Sequence, residues 1–224
     1  MDSLADTRDG LRFASAHSTV PIGTAAKRFV DIVMAVSGIV LLAPLLVLCF
    51  LLTTLTSPGP VLFRHRRVGF NGKHFHCLKF RTMVMDAPER LNHLLRSDPL
   101  AAAEWTANRK LRCDPRVTAM GTILRKSSLD ELPQLFNVLK GDMSIVGPRP
   151  ITDEELDRYA SSRGEYLACR PGITGLWQVS GRSKTTYNKR VACDAFYARN
   201  WSMALDLKIM IVTIPSLIVS DSAF

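Results

Sequence analysis

The stretch IVMAVSGIVLLAPLLVLCFLLTTLT, residues 32–56, decides the fold, because it is apolar over almost its whole length and carries no charge. A helix that crosses a bilayer needs about 20 predominantly apolar residues, so the length of this stretch alone would permit a span. Pro44 lies in its middle, where a proline removes a helical hydrogen bond and clashes with the preceding turn. A sharp kink is therefore predicted at this position.

Basic residues flank the apolar stretch on both sides: Lys27 and Arg28 before it, and Arg64, Arg66 and Arg67 after it. The positive-inside rule places both flanks in the cytoplasm. A helix that enters the membrane, turns at Pro44 and leaves on the same face agrees with both the kink and the charges. Each arm would be about 18 Å long, which is too short to cross. We therefore predict a re-entrant membrane helix over residues 27–56, with a plain span and a buried helix of a soluble protein as alternatives.

The composition limits the class of protein. A chain of 224 residues is long enough for one domain with a sizeable core, preceded by a polar lead, residues 1–26, that is predicted to be disordered. The 29 Lys and Arg residues exceed the 20 Asp and Glu residues, for a net charge of +9. This balance favours a polyanionic partner: nucleic acid, anionic lipid or a phosphorylated substrate. The five cysteines show no CxxC spacing, which argues against a disulfide framework and a zinc site.

The rest of the chain is predicted to be α+β and mostly helical. Asn71 and Gly72 are a strong hairpin signal. The two strands are predicted over residues 61–67 and 73–80, and the helices over residues 86–96, 99–110, 118–126, 128–140, 152–162, 186–199 and 202–219. Thr152 and Glu155 have the spacing of a capping box. The last helix is apolar and begins beside Trp201, so it is predicted to lie in the lipid interface.

An adjacent acid pair, Asp130 and Glu131, lies within the segment SLDELPQLFN, residues 128–137. Ser128 and Glu131 also have the spacing of a capping box, although Pro133 falls just past the first turn and leaves Asp130 as an alternative cap. In either case both carboxylates lie at a helix N-terminus, whose positive dipole end favours carboxylates and phosphates. Such a pair can attack an electrophile or hold a metal ion.

Four arginines near this pair each lie beside a turn, a cap, a proline or a glycine: Arg125, Arg149 in GPRP, Arg170 in RPGITG and Arg182 in SGR. Guanidinium groups bind phosphate oxygens with two parallel hydrogen bonds. The histidines His65, His74 and His76 do not have the spacing of a metal site, and no glycine-rich nucleotide-binding motif is present. The acid pair and the arginines together predict a site that handles phosphate at a membrane surface.

With these motifs and the segment KFRTM, residues 79–83, the sequence resembles the bacterial sugar transferase family from about residue 27 to residue 214. This family comprises the small monotopic phosphoglycosyl transferases that begin surface-glycan synthesis. The resemblance is strongest to the undecaprenyl-phosphate galactose phosphotransferase type that initiates exopolysaccharide synthesis. It implies a kinked re-entrant helix and a small catalytic domain, residues 57–224, with a β-hairpin and interfacial helices, at the cytoplasmic face of the bacterial inner membrane.

The resemblance also implies a reaction. A hexose-1-phosphate, of galactose or glucose, would pass from a UDP-sugar to undecaprenyl phosphate with release of UMP. Asp130 would be the covalent nucleophile, and Asp130 and Glu131 would hold Mg²⁺, with Glu131 also assisting proton transfer. Arg125, Arg149 and Arg182 would bind phosphate, and Arg170 would be a weaker fourth contact.

The expected partners are therefore the UDP-sugar, undecaprenyl phosphate, membrane lipid and downstream glycosyltransferases, and no nucleic acid. Two other classes stay open at this point. A membrane-anchored binder of nucleic acid or anionic lipid would explain the charge, but it would leave the acid pair and the arginine motifs unexplained. A non-catalytic scaffold in a glycan assembly complex would tolerate the loss of Asp130, and the intact acid pair argues against it.

Overall fold

The computed structural model describes residues 20–108, 111–181 and 186–218, which form a mostly helical α+β structure with two small sheets. The helices are α1 (Ala25–Leu41), α2 (Ala43–Thr56), α3 (Ala87–Ser97), α4 (Pro99–Asn108), α5 (Ala119–Lys126), α6 (Gln134–Lys140), α7 (Asp153–Asp157), α8 (Arg163–Leu167), α9 (Leu176–Val179), α10 (Tyr187–Arg199) and α11 (Met203–Ile218). The strands are β1 (Leu62–Val68), β2 (His74–Phe80), β3 (Ser144–Val146) and β4 (Gly172–Thr174). The predicted α+β class is confirmed.

The predicted β-hairpin is present. Strands β1 and β2 are antiparallel, and Phe63 pairs with Lys79. Asn71 has a φ of 53° and Gly72 a φ of 75° in the turn, a left-handed region that asparagine and glycine tolerate best. Strands β3 and β4 form a separate parallel pair.

The apolar stretch forms two helices instead of one. Helices α1 and α2 meet at Leu42 and are bent by 64°. Pro44 lies in the first turn of α2, the helical position where the missing N–H of proline costs least. Within the described residues, no single helix is long and apolar enough to cross a membrane, whereas the bent pair taken together meets that length and composition.

One face of α1 packs on α6. Ala35 and Val138 are completely buried in this contact, and Gly38 is so close to Leu135 that an added Cβ would lie 3.3 Å from its methyl group. Small residues on α1 therefore allow a close helix approach, and the burial of each large aliphatic side chain contributes about 1.5–3 kcal/mol. The opposite face is exposed and apolar, and includes Phe29, Val33, Val36, Val40, Val47, Phe50 and Leu51 of α1 and α2.

The N-terminal end of α1 is tied to the domain by buried charges. Lys27 donates to a carboxylate oxygen of Asp206 at 2.6 Å and to the Val146 carbonyl oxygen at 3.0 Å. The hydroxyl of Tyr197 and the indole N–H of Trp201 donate to the same aspartate, at 2.7 and 3.0 Å. We call Lys27, Asp206, Tyr197 and Trp201 the anchor cluster. The basic residue before the apolar stretch is therefore a structural partner in the core.

Arginines bind the C-terminal ends of two helices. Arg28 donates to the carbonyl oxygens of Val138 and Leu139 in α6, at 2.7 and 3.0 Å. Arg81 is buried and donates to the carbonyl oxygens of Ser57 and Pro58 just after α2. Positive charge at a helix C-terminus satisfies the free carbonyls and complements the dipole.

Two predictions about local structure are wrong. Ser128 is not a side-chain cap, because its backbone lies in the left-handed region with a φ of 57° and no capping hydrogen bond forms. Residues Leu129–Glu131 form a 3₁₀ turn, and α6 begins at Gln134. The predicted disordered lead is too long, because the Ile22 N–H donates to the Ala168 carbonyl at 2.8 Å. Residues 1–19 of that lead lie outside the described residues.

Candidate active site

The acid pair lies on the short 3₁₀ turn between α5 and α6. The Asp130 side chain points inward and its residue is only 8% exposed. Pro133 directly precedes α6, a position at the start of a helix where its missing N–H and fixed φ are tolerated. Gly141 ends α6 with a φ of 88°, as the sequence predicts.

Glu131 faces the β-hairpin. Its carboxylate accepts a hydrogen bond from the Lys79 ammonium at 2.5 Å. Lys79 is in β2, and 52 residues of chain separate the two partners. From the sequence, Lys79 is recognisable only as part of the KFRTM motif and not as a site residue, since nothing in the local pattern shows which acid it meets.

Burial raises the pKa of Asp130 from its ordinary value to about 6. Lys79 and Arg125 act in the opposite direction, because their positive charges favour the carboxylate, while the neighbouring Glu131 adds to the rise. The group is thus largely ionised at pH 7 and is more basic than an exposed aspartate. Both properties suit a carboxylate nucleophile.

Arg125 approaches the acid pair from α5. Its Nε donates to the hydroxyl of Thr82 at 2.9 Å, which fixes the direction of the guanidinium. Burial lowers the pKa of Arg125 and the charge of Asp130 raises it. The structure therefore brings Arg125 and Asp130 into electrostatic contact, as the predicted site requires.

A narrow cleft opens beside Glu131. It is lined by residues from the hairpin, α6, the GPRP loop, β4 and α9: Arg67, Cys77, Lys79, Glu131, Gln134, Arg149, Pro150, Gly172, Ile173 and Gln178. Two of the residues predicted from sequence, Glu131 and Arg149, thus share one cavity. The cations that line it give the cleft the character of an anion-binding site.

The position of Arg149 depends on a close approach of two loops. The Gly147 N–H donates to the Thr174 carbonyl oxygen at 2.9 Å, and the Gly172 N–H donates to the Pro148 carbonyl oxygen at 2.8 Å. A Cβ on Gly172 would overlap the backbone of Gly147. Glycine is therefore required at this contact, which holds the GPRP loop beside the RPGITG loop.

Comparison with known proteins identifies the family. The family model described as bacterial sugar transferase matches residues 22–220. The chain belongs to the bacterial sugar transferase family. This sugar transferase is 48% identical over 204 residues to the exopolysaccharide production protein ExoY of Rhizobium meliloti, which covers 91% of the chain and 90% of that relative.

Two further relatives carry names that state a reaction. The undecaprenyl-phosphate galactose phosphotransferase of Salmonella typhimurium is 48% identical over 198 residues, which cover 88% of the chain and 41% of that protein. The UDP-glucose:undecaprenyl-phosphate glucose-1-phosphate transferase of Caulobacter vibrioides is 44% identical over 206 residues, which cover 88% of the chain and 72% of that protein.

The other two arginines predicted for the sugar transferase site have different outcomes. The Nε of Arg170 donates to the Gly141 carbonyl oxygen at 2.9 Å, at the end of α6. Burial and the positive charge of Arg28 lower the pKa of Arg170, while Asp31 of α1 raises it. Arg170 is not among the described residues that line the cleft. Its hydrogen bond to Gly141 instead stabilises the end of α6. Arg182 lies outside the described residues.

Several cleft residues of the sugar transferase were missed by the sequence analysis. Arg67 was recognised only as one of the basic residues that flank the apolar stretch, but its guanidinium lines the cleft and donates to Glu155 at 3.0 Å. Arg190 binds the other oxygen of Glu155 at 3.2 Å. One signal in the sequence could have separated Arg67 from the neighbouring Arg66. Side chains alternate between the two faces of a strand, so Phe63, His65 and Arg67 share one face of β1.

The described residues contain no group of three or more His, Cys, Asp and Glu side chains that could hold a metal. The predicted Mg²⁺ ligands are the pair Asp130 and Glu131. This donor set fits the ion, because Mg²⁺ in phosphoryl-transfer sites uses one or two carboxylates and completes its shell with water and substrate phosphates. One Glu131 oxygen accepts a hydrogen bond from Lys79.

Proposed function

We propose that this sugar transferase moves a hexose-1-phosphate from a UDP-sugar to undecaprenyl phosphate, with release of UMP, in the first membrane step of exopolysaccharide synthesis. The names of the Salmonella and Caulobacter relatives state this kind of transfer, and the Rhizobium relative is an exopolysaccharide production protein. The observation that carries the proposal is the buried Asp130 next to Glu131, which is paired with Lys79 in the same cleft as Arg149.

The proposed chemistry has two steps. The Asp130 carboxylate attacks the phosphorus that bears the sugar, the bond from this phosphorus to the bridging oxygen breaks, and UMP leaves with the electron pair. An oxygen of undecaprenyl phosphate then attacks the same phosphorus and restores the free carboxylate. The raised pKa of Asp130 supports the first step, because a more basic carboxylate is a better nucleophile while it is still ionised at pH 7.

The remaining groups stabilise charge. Arg149 and Lys79 supply positive charge where the diphosphate would lie, and Arg125 faces Asp130. Mg²⁺, held by Asp130 and Glu131, would neutralise charge on the departing UMP. Because UMP leaves before the acceptor reacts, ping-pong kinetics are expected.

The proposal includes a membrane position. The 64° bend between α1 and α2 and their exposed apolar face favour a re-entrant pair at the cytoplasmic face of the bacterial inner membrane. Cysteines introduced at Ala25 and Arg64 test this by labelling of intact cells with an impermeant reagent. Protection of both sites until the cells are lysed is the expected result. Labelling of one site from outside would replace the re-entrant pair with a broken span.

The reaction is tested by UMP release from UDP-galactose and UDP-glucose, with undecaprenyl phosphate and the purified chain in nanodiscs. Turnover is expected with at least one donor. Asp130→Asn is expected to lose about 10³-fold or more, because the covalent path disappears.

Asp157→Asn is the matched control for this experiment, since the Asp157 side chain is exposed on α7, and its turnover is expected to equal that of the wild type. A phosphosugar adduct trapped on Asp130 by mass spectrometry would support the first step. Full activity of Asp130→Asn, or an adduct on another residue, would contradict it.

A further inference from the structure

We propose that Arg67 is an additional phosphate-binding residue for the donor diphosphate, and that Glu155 is the positioning residue that directs its guanidinium into the cleft. This inference rests on the proposed function above. It concerns an arginine of the β-hairpin and a glutamate of α7, neither of which lies in the acid-pair or GPRP segments.

Arg67 is placed for this role by the hairpin. It lines the cleft together with Lys79 and Arg149, and its side chain is only 16% exposed. One terminal nitrogen donates to Glu155 at 3.0 Å and the other meets His65 Nδ1 at 3.1 Å. A guanidinium has five N–H donors in a fixed fork, so these two contacts fix its orientation and leave donors for a phosphate oxygen.

Like charge near Arg67 points to an anionic ligand. Burial lowers the pKa of this guanidinium, and the positive charge of Arg149 lowers it further, while Glu155 raises it. Burial lowers the pKa of His65, and the positive charges of Arg67 and Lys79 lower it further. Arg67, Lys79 and Arg149 line the cleft, with Glu131 as the one acid among its described lining residues, so the excess of positive charge favours a phosphate.

Glu155 is itself rigidly held. It is the third residue of α7 and completes a capping box with Thr152. Its second carboxylate oxygen accepts from Arg190 at 3.2 Å, and its carbonyl oxygen accepts from the Tyr187 hydroxyl at 2.9 Å. Burial would raise the pKa of Glu155, but Arg190, Thr152, Arg67 and Arg149 together hold it below its usual value. The carboxylate thus stays charged and joins β1, α7 and α10 behind the cleft.

A double-mutant cycle with Arg67→Lys and Glu155→Gln tests the proposal in the full chain in nanodiscs. Glutamine at position 155 preserves the capping box, because it is also used at this helix position, but removes the charge. Arg67→Lys is expected to weaken UDP binding and raise the KM for the UDP-sugar by about 10- to 100-fold, with a smaller change in kcat. Glu155→Gln is expected to produce part of the same loss.

The decisive result is non-additivity. If Glu155 acts through Arg67, the Glu155→Gln change costs little once Arg67 is already lysine. Arg199→Lys and Glu165→Gln are matched controls from an exposed ion pair, and UDP binding is expected to be unchanged in both. Melting temperatures check the fold of each variant.

Three outcomes would overturn the proposal: UDP binding by Arg67→Lys within twofold of the wild type, additive losses in the cycle, or a rise only in the KM for undecaprenyl phosphate. The last result would assign Arg67 to the acceptor phosphate. Because UDP binding is measured without turnover, these outcomes are separate from the failure of the proposed function, which would appear as a wild-type chain that releases no UMP.

Discussion

The anchor cluster and the candidate active site both contain a buried carboxylate, but the surroundings of the two carboxylates differ. In the anchor cluster, Asp206 receives hydrogen bonds from Lys27, Tyr197 and Trp201. Next to the cleft residue Glu131, Asp130 is almost as buried, yet burial outweighs its favourable neighbours and raises its pKa to about 6. The first arrangement joins a helix to the domain, whereas the second keeps a carboxylate in an unfavourable environment.

This contrast suggests how to separate structural from functional charges in the family. A structural charge is surrounded by fixed partners, and its removal is expected to cost stability. A charge such as Asp130, whose burial its neighbours do not fully offset, is expected to cost stability, so its removal costs activity and can increase stability. Substitutions in the two regions should therefore have opposite effects on unfolding.

The largest stability loss is expected from Lys27→Met. It leaves Asp206 buried without its cation, and breaking a buried pair on one side costs about 3–5 kcal/mol. Denaturant unfolding in detergent measures the loss. The double variant with Asp206→Leu should recover much of it, because no unpaired charge remains. Arg199→Met, in the exposed pair with Glu165, is the control and should cost less than about 1 kcal/mol. Equal losses of stability in Lys27→Met and Arg199→Met would show that Lys27 is not a structural charge of the kind described here.

A smaller effect with the opposite sign is expected from Asp130→Asn. The folded pKa of about 6 exceeds the ordinary value of 3.8, so the folded state binds this proton more tightly than the unfolded state does. Stability is therefore lost as the pH rises from about 4 to about 6, and the full cost, up to about 3 kcal/mol, is present above that window. Asn carries no charge and avoids this cost.

The measurement for Asp130→Asn is a pair of unfolding curves at pH 4 and pH 8. The variant should be more stable than the wild type at pH 8, and the difference should shrink at pH 4. Asp157→Asn, at an exposed site, should show no such change with pH. A variant that is less stable than the wild type at pH 8 would mean that Asp130 is a structural charge.

The smallest effects distinguish two arginines. Arg149→Lys would remove the proposed bidentate contact with the donor diphosphate, and the loss of a charge-assisted hydrogen bond of about 1.5–3 kcal/mol is expected to slow turnover roughly 10- to 150-fold. Arg170→Lys should change turnover much less, because Arg170 binds the Gly141 carbonyl, and should lower stability by about 1 kcal/mol. UMP release and melting temperature measure the two effects. Near wild-type turnover for Arg149→Lys would make it a structural loop residue.

The sequence correctly predicted those features of the fold that depend on residues close together along the chain. Pro44 predicted a kink, and the helices do bend close to it. The Asn71–Gly72 dipeptide predicted the hairpin, and Thr152 predicted a capping box, which is present. In each case the deciding interaction joins residues that are close along the chain, so the residue types themselves specify the geometry.

Ser128 shows the limit of such signals. Its spacing to Glu131 is that of a capping box, but the left-handed backbone at Ser128 and the separate 3₁₀ turn exclude one. The short-range pattern therefore failed at a place where a left-handed backbone, at Ser128, precedes the proposed nucleophile Asp130.

The sequence by itself thus determined the bent apolar helices, the hairpin, the acid pair and the arginine motif at Arg149. Only the tertiary structure decided which charges meet. Lys27 and Asp206 are 179 residues apart in the chain, and Arg67 and Glu155 are 88 apart. A basic residue looks the same in sequence whether it faces lipid headgroups, a buried aspartate or a phosphate. Its role is fixed by long-range packing, which sets both its partner and the dielectric around it.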